Sequence, residues 1–132
     1  MADADGAAVG ALVSLRMKRS LADLTAELRR FAKERDWDQF HSPKNLAAAL
    51  SVEAGEVLEH FQWLTEEQSR DLPADKRAQI ELELADVLLY LLRLSDQLNI
   101  DLLDAANRKI KINAEKYPPE RARGSAKKYS DL

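Results

Sequence analysis

Ser51-Val52-Glu53-Ala54-Gly55-Glu56-Val57-Leu58-Glu59-His60-Phe61-Gln62-Trp63 decides the fold once it is set beside Glu83-Leu84-Ala85-Asp86-Val87-Leu88-Leu89-Tyr90. Neither stretch alternates with the period of two that a strand requires, and both read as helix. Each carries two carboxylates three residues apart, Glu53 with Glu56 and Glu83 with Asp86. Three helical steps of ~100° bring the second side chain to within about 60° of the first, one turn along the same face. Glu59 extends the first row by a further turn.

The run from Ile80 to Leu94 is nearly all apolar, with Asp86 at its centre. A helix that is apolar almost all round is predicted to be buried. An ionised Asp there is costly unless positive charge meets it. Few basic residues lie nearby in the chain, so a cation is the economical partner. Carboxylates converging from two helices suit a hard, oxygen-binding ion, Mg²⁺ with Mn²⁺ as a substitute. The competing reading leaves these acids on wet helix faces.

The remaining composition narrows the field. The chain has 132 residues, enough for one domain with a four-helix core, though small enough for oligomerisation to help it. It has no cysteine, which excludes a disulfide framework and a thiolate zinc site. The net charge is −3, with acids and bases interspersed, so long nucleic acids are not an expected partner. No apolar run approaches the ~20 residues that span a bilayer, and the expected compartment is the cytoplasm. Residues 1–16 read as a loose Ala/Gly-rich leader, 17–119 as the folded domain and 120–132 as a basic tail.

Local signals set the predicted helices. Ser20 caps the first, with Leu21, Leu24, Leu28 and Phe31 at helical spacing until Arg35-Asp36. Trp37-Asp38-Gln39-Phe40-His41 follows as a polar-aromatic loop. Ser42-Pro43 opens the second helix, predicted to reach about Leu64. Thr65 to Asp75 reads as a loop containing Pro73, and a third helix is expected from Ala74 to Leu98. Asp101 caps the fourth, which ends before Pro118-Pro119. The predicted fold is all-α, a four-helix arrangement with short connections. Gly55 lies between the acids of the second helix, either for close approach of a partner or as a tolerated surface glycine.

Helical spacing puts Trp63 on the face of Glu56, and Tyr90 on that of Asp86. Such rings either stack on a nucleobase or fill the core. Lys109, Asn113 and Lys116 form a stripe that either meets phosphate or is simply solvated. Magnesium commonly binds through carboxylates together with substrate phosphates, which favours a polyphosphate ester as ligand. A di-iron carboxylate bundle is excluded, because neither His41 nor His60 has a Glu three residues before it. Neither a phosphate-binding loop nor a Gly-x-Ser-x-Gly elbow is present.

Arg35-Asp36-Trp37-Asp38-Gln39-Phe40-His41, Pro43-Lys44-Asn45-Leu46, Glu53-x-x-Glu56-x-x-Glu59 with Phe61-Gln62-Trp63, Glu83-x-x-Asp86 with Tyr90, and Lys109-x-x-x-Asn113-x-x-x-Tyr117-Pro118 occur here in order. With Ser125-x-Lys127-Lys128-Tyr129, the set resembles the MazG-type all-α nucleoside triphosphate pyrophosphohydrolases, closest to their dCTP-cleaving branch. The resemblance implies hydrolysis of dCTP or a modified dCTP to monophosphate and pyrophosphate, with a broader or different base range as the alternative. A non-enzymatic helical interaction module is the reading from another class. By the same resemblance, Glu53, Glu56, Glu83 and Asp86 are the expected Mg²⁺ ligands. Glu56 and Glu59 are the expected water-orienting residues. Trp37, Asp38, Gln39, Phe40, His41, Trp63, Tyr90, Lys109 and Asn113 are the expected substrate contacts. A homotetramer built as a dimer of dimers is implied as well. One departure stands out: Leu28 occupies a first-helix position where cytosine-selective mammalian members carry a histidine.

Overall fold

The computed structural model describes residues 20–132, and among them every regular element is helical. The predicted leader lies outside the described residues. Four long helices appear where expected: α1 (Leu21–Glu34), α2 (Pro43–Glu59), α4 (Ala74–Gln97) and α5 (Leu102–Lys116). Two short ones join them, α3 (Glu66–Arg70) and α6 (Pro119–Ala122).

The starts follow from capping chemistry. The side chains of Ser20, Ser42 and Asp101 accept from the backbone N–H of Asp23, Asn45 and Asp104, satisfying donors that the first helical turn leaves free. The ends of α1 and α4 share one device. Asp36 and Asn99 both take φ of 54°, a conformation Asp and Asn tolerate better than most residues. Trp37 N then bonds Ala32 O at 2.9 Å, and Ile100 N bonds Ser95 O at 2.9 Å. The first of these turns delivers Trp37 to the flank of α1.

The second helix is shorter than its apolar pattern predicts, ending at Glu59 rather than about Leu64. His60 N to Val57 O and Phe61 N to Leu58 O tighten the chain into turns. Thr65 then restarts a helix with a reciprocal capping box to Gln68, inside what reads from sequence as a plain loop.

The core forms where α4 packs against α2 and α1. Ala32, Leu46, Ile80 and Leu92 are its buried apolar residues. His41 meets Arg93, and His60 meets Glu83, so α2 and α4 run antiparallel. The expected all-round burial of α4 is not observed. Leu82 is 69% exposed, Leu84 is exposed, and Asp86 is exposed too. Among the described residues only α1 and α2 cover α4 substantially, and its remaining face has no cover from them. Helix α5 makes little contact with the other described elements and leaves Leu103 and Ile110 exposed. The basic tail folds back on the end of α5: Tyr129 meets Tyr117 edge-on at 6.0 Å, and Lys116 lies over its ring.

Candidate active site

The antiparallel pairing of α2 and α4 brings the two acidic rows face to face. Glu53, Glu56 and Glu83 each offer a carboxylate oxygen, and these oxygens lie within 4.8 Å of one another. All three side chains are half-buried. Oε2 of Glu53 is shut off from solvent and has no hydrogen-bond partner among the described residues. Such an atom costs on the order of 1–3 kcal/mol or more unless something pairs with it. Burial raises the Glu53 pKa above the ordinary carboxylate range, helped by its close contact with Glu56 and by the charges of Glu56, Asp86 and Glu83. A divalent cation bound by oxygen answers both the orphaned oxygen and the crowded charge.

Asp86 lies outside this trio, yet near enough for its charge to act on Glu53. It lines a cleft of about 180 Å³ with Leu28, Phe31, Trp37, His41, Tyr90 and Arg93. Asp86 thus borders an apolar, aromatic recess shaped by α1, α4 and the loop between α1 and α2. A larger open groove of about 880 Å³ runs along Leu64, Gln68, Leu72 and Lys76. None of the paired acids lines it, so the smaller cleft is the better candidate. Glu59 ends α2, exposed, and His60 behind it places Nε2 3.7 Å from Glu83 Oε1.

The aromatic loop is held by contacts of several kinds. Trp37 packs edge-on against Phe31 at 5.7 Å and His41 at 6.2 Å. Gln39 Nε2 donates to the Asp36 carboxylate and carbonyl, each at 3.0 Å, while Phe40 O accepts from Asn45 Nδ2 at 2.9 Å. Phe40 itself is exposed. Arg93, 5% exposed, is the residue that sequence reasoning missed. Its Nη2 donates to Asp38 Oδ1 at 2.5 Å and its Nε to His41 Nδ1 at 3.1 Å, while Nη1 lies 3.6 Å from Asp96 Oδ2. Asp96 is also held in a two-armed pair by Arg29 of α1, and its pKa is lowered chiefly by that hydrogen bond. The available signal was a lone arginine in the run Leu91-Leu92-Arg93-Leu94.

Other expected contacts are not assembled in the single chain. Trp63 lies beyond the end of α2 and is 86% exposed, so neither the helical-face argument nor the core reading applies to it. Lys109 and Asn113 sit on α5, exposed, without a side-chain hydrogen bond or ion pair among the described residues. A Cβ added at Gly55 meets nothing within 4 Å, so no neighbour among the described residues requires glycine there.

The raised Glu53 pKa predicts a pH-dependent response to metal. A carboxyl whose pKa is higher in the fold favours the fold below its unfolded pKa. That advantage is lost as pH rises through the folded pKa. Asp96 works in the opposite sense, supporting the fold above its unfolded pKa and losing that support as pH falls. The Glu53 contribution is therefore read as the difference between wild type and Glu53→Gln. Saturating divalent cation is expected to raise the wild-type melting temperature more near neutrality than at mildly acidic pH, with Glu53→Gln flattening the contrast. A shift as large or larger in acid contradicts this.

Comparison with known proteins follows the same lines. The MazG-like family model matches residues 48–132. The dCTP pyrophosphatase 1 of Mus musculus is 44% identical over 115 residues, covering 86% of this chain and 68% of that protein. The Rattus norvegicus protein of the same name is 41% identical over 130 residues, covering 97% of this chain and 76% of its own length. Its Homo sapiens counterpart is 42% identical over 115 residues, 86% of this chain and 68% of that protein. Among solved structures, a pyrophosphatase from Archaeoglobus fulgidus superposes with a TM-score of 0.71 at 38% identity, covering 78% of this chain and 96% of that one.

Proposed function

The chain belongs to the MazG-like family, and from that premise we propose that it hydrolyses dCTP or a modified dCTP to the monophosphate and pyrophosphate, with Mg²⁺ as cofactor. The observation that carries this reading is the facing trio of Glu53, Glu56 and Glu83, with its orphaned buried oxygen, joined electrostatically by Asp86, which lines an aromatic cleft. The names of the relatives support the nucleotide and its base.

In this reading Glu53, Glu56, Glu83 and Asp86 hold the metal, which when bound offsets phosphate charge and polarises the phosphorus. A water oxygen forms a bond to the α-phosphorus, and the bond from that phosphorus to the α–β bridging oxygen breaks. Pyrophosphate leaves with the bridging oxygen. Glu59, with Glu56 as the alternative, orients the water and takes its proton. Trp37, Phe40, His41 and Tyr90 surround the base and sugar, with Asp38 and Gln39 keeping the loop in shape. The basic residues of the tail lie over the phosphates.

Assembly completes the site. Val52 and Leu58 on α2, Leu82 and Leu84 on α4, and Leu103 and Ile110 on α5 are all exposed in the single chain. Apolar surface on that scale favours partner subunits, and we assign it to a tetramer formed as a dimer of dimers. Lys109 and Asn113 then serve the phosphates of a neighbour's nucleotide. Among the described residues no helix is long and apolar enough to cross a membrane, and we place the enzyme in the cytoplasm.

Trp63 is assigned to stack on the base. Trp63→Ala is expected to raise KM by about tenfold, the lower part of the ~1–3 kcal/mol range for one base–aromatic stack, with metal binding unchanged. Unaltered KM and base preference remove Trp63 from the site.

The functional reading is tested by pyrophosphate release from a panel of nucleoside triphosphates with Mg²⁺, 5-methyl-dCTP included. Preference for cytosine nucleotides supports it. The apolar Leu28 wall of the cleft favours a second reading, a broader base range, and activity spread across bases selects that one. No release from any nucleotide returns the chain to a helical interaction module.

A further inference from the structure

We propose that Arg93 is a positioning residue that locks His41 as the Nε2–H tautomer and so offers one fixed hydrogen-bond donor to the nucleotide in the cleft. The inference rests on the functional reading above and adds to it a selection for an acceptor atom on the ligand.

The chemistry follows from what each group can do. A guanidinium has five N–H donors and no acceptor, and it stays charged at any working pH. Arg93 Nε lies 3.1 Å from His41 Nδ1 in donor geometry, so Nδ1 must supply the lone pair. A neutral imidazole accepting at Nδ1 carries its proton on Nε2. No protein group bonds that nitrogen among the described residues, so its N–H is free for a ligand. The His41 pKa is lowered by burial first and then by the Arg93 charge, against a smaller upward pull from Asp38, which favours the neutral ring.

Arg93 is itself fixed. Asp38 Oδ1 takes its Nη2, and Asp96, anchored by Arg29, lies beside its Nη1. The chain of contacts Arg29–Asp96–Arg93–His41 therefore ties α1, α4 and the aromatic loop into one frame. His41 and Arg93 both line the cleft, as does Asp86, one of the proposed metal ligands. An imidazole Nε2–H matches an acceptor such as the O2 or N3 of cytosine, and it rejects a donor at the same place, such as the N3–H of uracil or thymine. Leu28, which also lines the cleft, has no hydrogen-bonding group to share that task.

The test begins with wild-type protein labelled with ¹⁵N on histidine. The chain has two histidines, and His41→Gln assigns the signal. At neutral pH, His41 is expected to show a protonated Nε2 and an unprotonated Nδ1. Arg93→Met keeps most of the side-chain volume and leaves the Asp96–Arg29 pair in place. It is expected to let His41 populate both tautomers. It also raises KM about tenfold with kcat held within about twofold, a loss of binding rather than of chemistry. Should the Met variant fail to fold, Arg93→Gln is the variant measured: its amide can donate or accept at Nδ1, so the same mixing of tautomers and rise in KM are expected.

A wild-type His41 protonated on Nδ1, or on both nitrogens, overturns the proposal. So does a variant with scrambled tautomers and unchanged KM. Failure of the functional reading gives a different pattern. No nucleotide is turned over by wild type, and a non-hydrolysable dCTP analogue does not shift the His41 Nε2 proton although the tautomer is as expected.

Discussion

Glu53→Gln is expected to lower kcat/KM on a nucleoside triphosphate by about 10³-fold, on the order of 4 kcal/mol of transition-state stabilisation. The same variant is expected to make the metal-free protein at least as stable as wild type near neutral pH. Both effects have one cause. The Glu53 carboxylate is crowded by Glu56, Asp86 and Glu83, and one of its oxygens is buried without a partner. In the metal-free fold that arrangement is a liability, and an amide of the same shape relieves its charge. With metal bound, the same negative charge holds the ion, and an amide holds it poorly. The checks are steady-state kinetics and thermal melts with and without Mg²⁺. Near-wild-type turnover sinks the role of Glu53. Lower stability of the metal-free variant says instead that the carboxylate serves the fold.

Asp86→Asn is expected to cost about 10²-fold or more in kcat while changing metal-free stability by less than about 0.5 kcal/mol. Asp86 is exposed in the single chain and makes no hydrogen bond or ion pair among the described residues, so its charge has no packing duty there. Its place between the acidic trio and the cleft suits a group that shares the metal with the bound nucleotide. The contrast with Glu53 is informative. Both variants lose activity, but Glu53→Gln removes the buried unpartnered carboxylate itself, whereas Asp86→Asn removes only one of the charges facing it. Wild-type kcat in Asp86→Asn removes it from the ligand set.

The helix starts were legible because capping is local. Ser20, Ser42 and Asp101 each announce a helix within three residues of themselves. The pairing of the acidic rows was legible for a related reason, since three-residue spacing on two helices leaves one face to share. The end of α2 was hidden, because His60 to Trp63 contains no proline or glycine. Tightened turns there depend on Thr65 restarting the chain with Gln68.

The Arg93 frame was hidden for a different reason. Its partners lie 52 and 55 residues away, and the Arg29–Asp96 pair spans 67. Helical periodicity carries no information about which charged side chains meet across such distances. The exposure of Asp86 shows the converse error. An apolar run predicts burial without saying whether the same chain or a neighbouring subunit provides the cover. Leu82 and Leu84 remain open here because α1 and α2 alone cannot surround α4. Trp63 is the clearest example, since a residue placed by helical phase on the acidic face lies past the helix end.

Attack of water at the α-phosphorus is decided by hydrolysing dCTP in ¹⁸O-labelled water and locating the label by mass spectrometry. One labelled oxygen is expected in dCMP and none in pyrophosphate, with activity dependent on divalent cation. Label in pyrophosphate, or formation of dCDP and labelled phosphate, would contradict it.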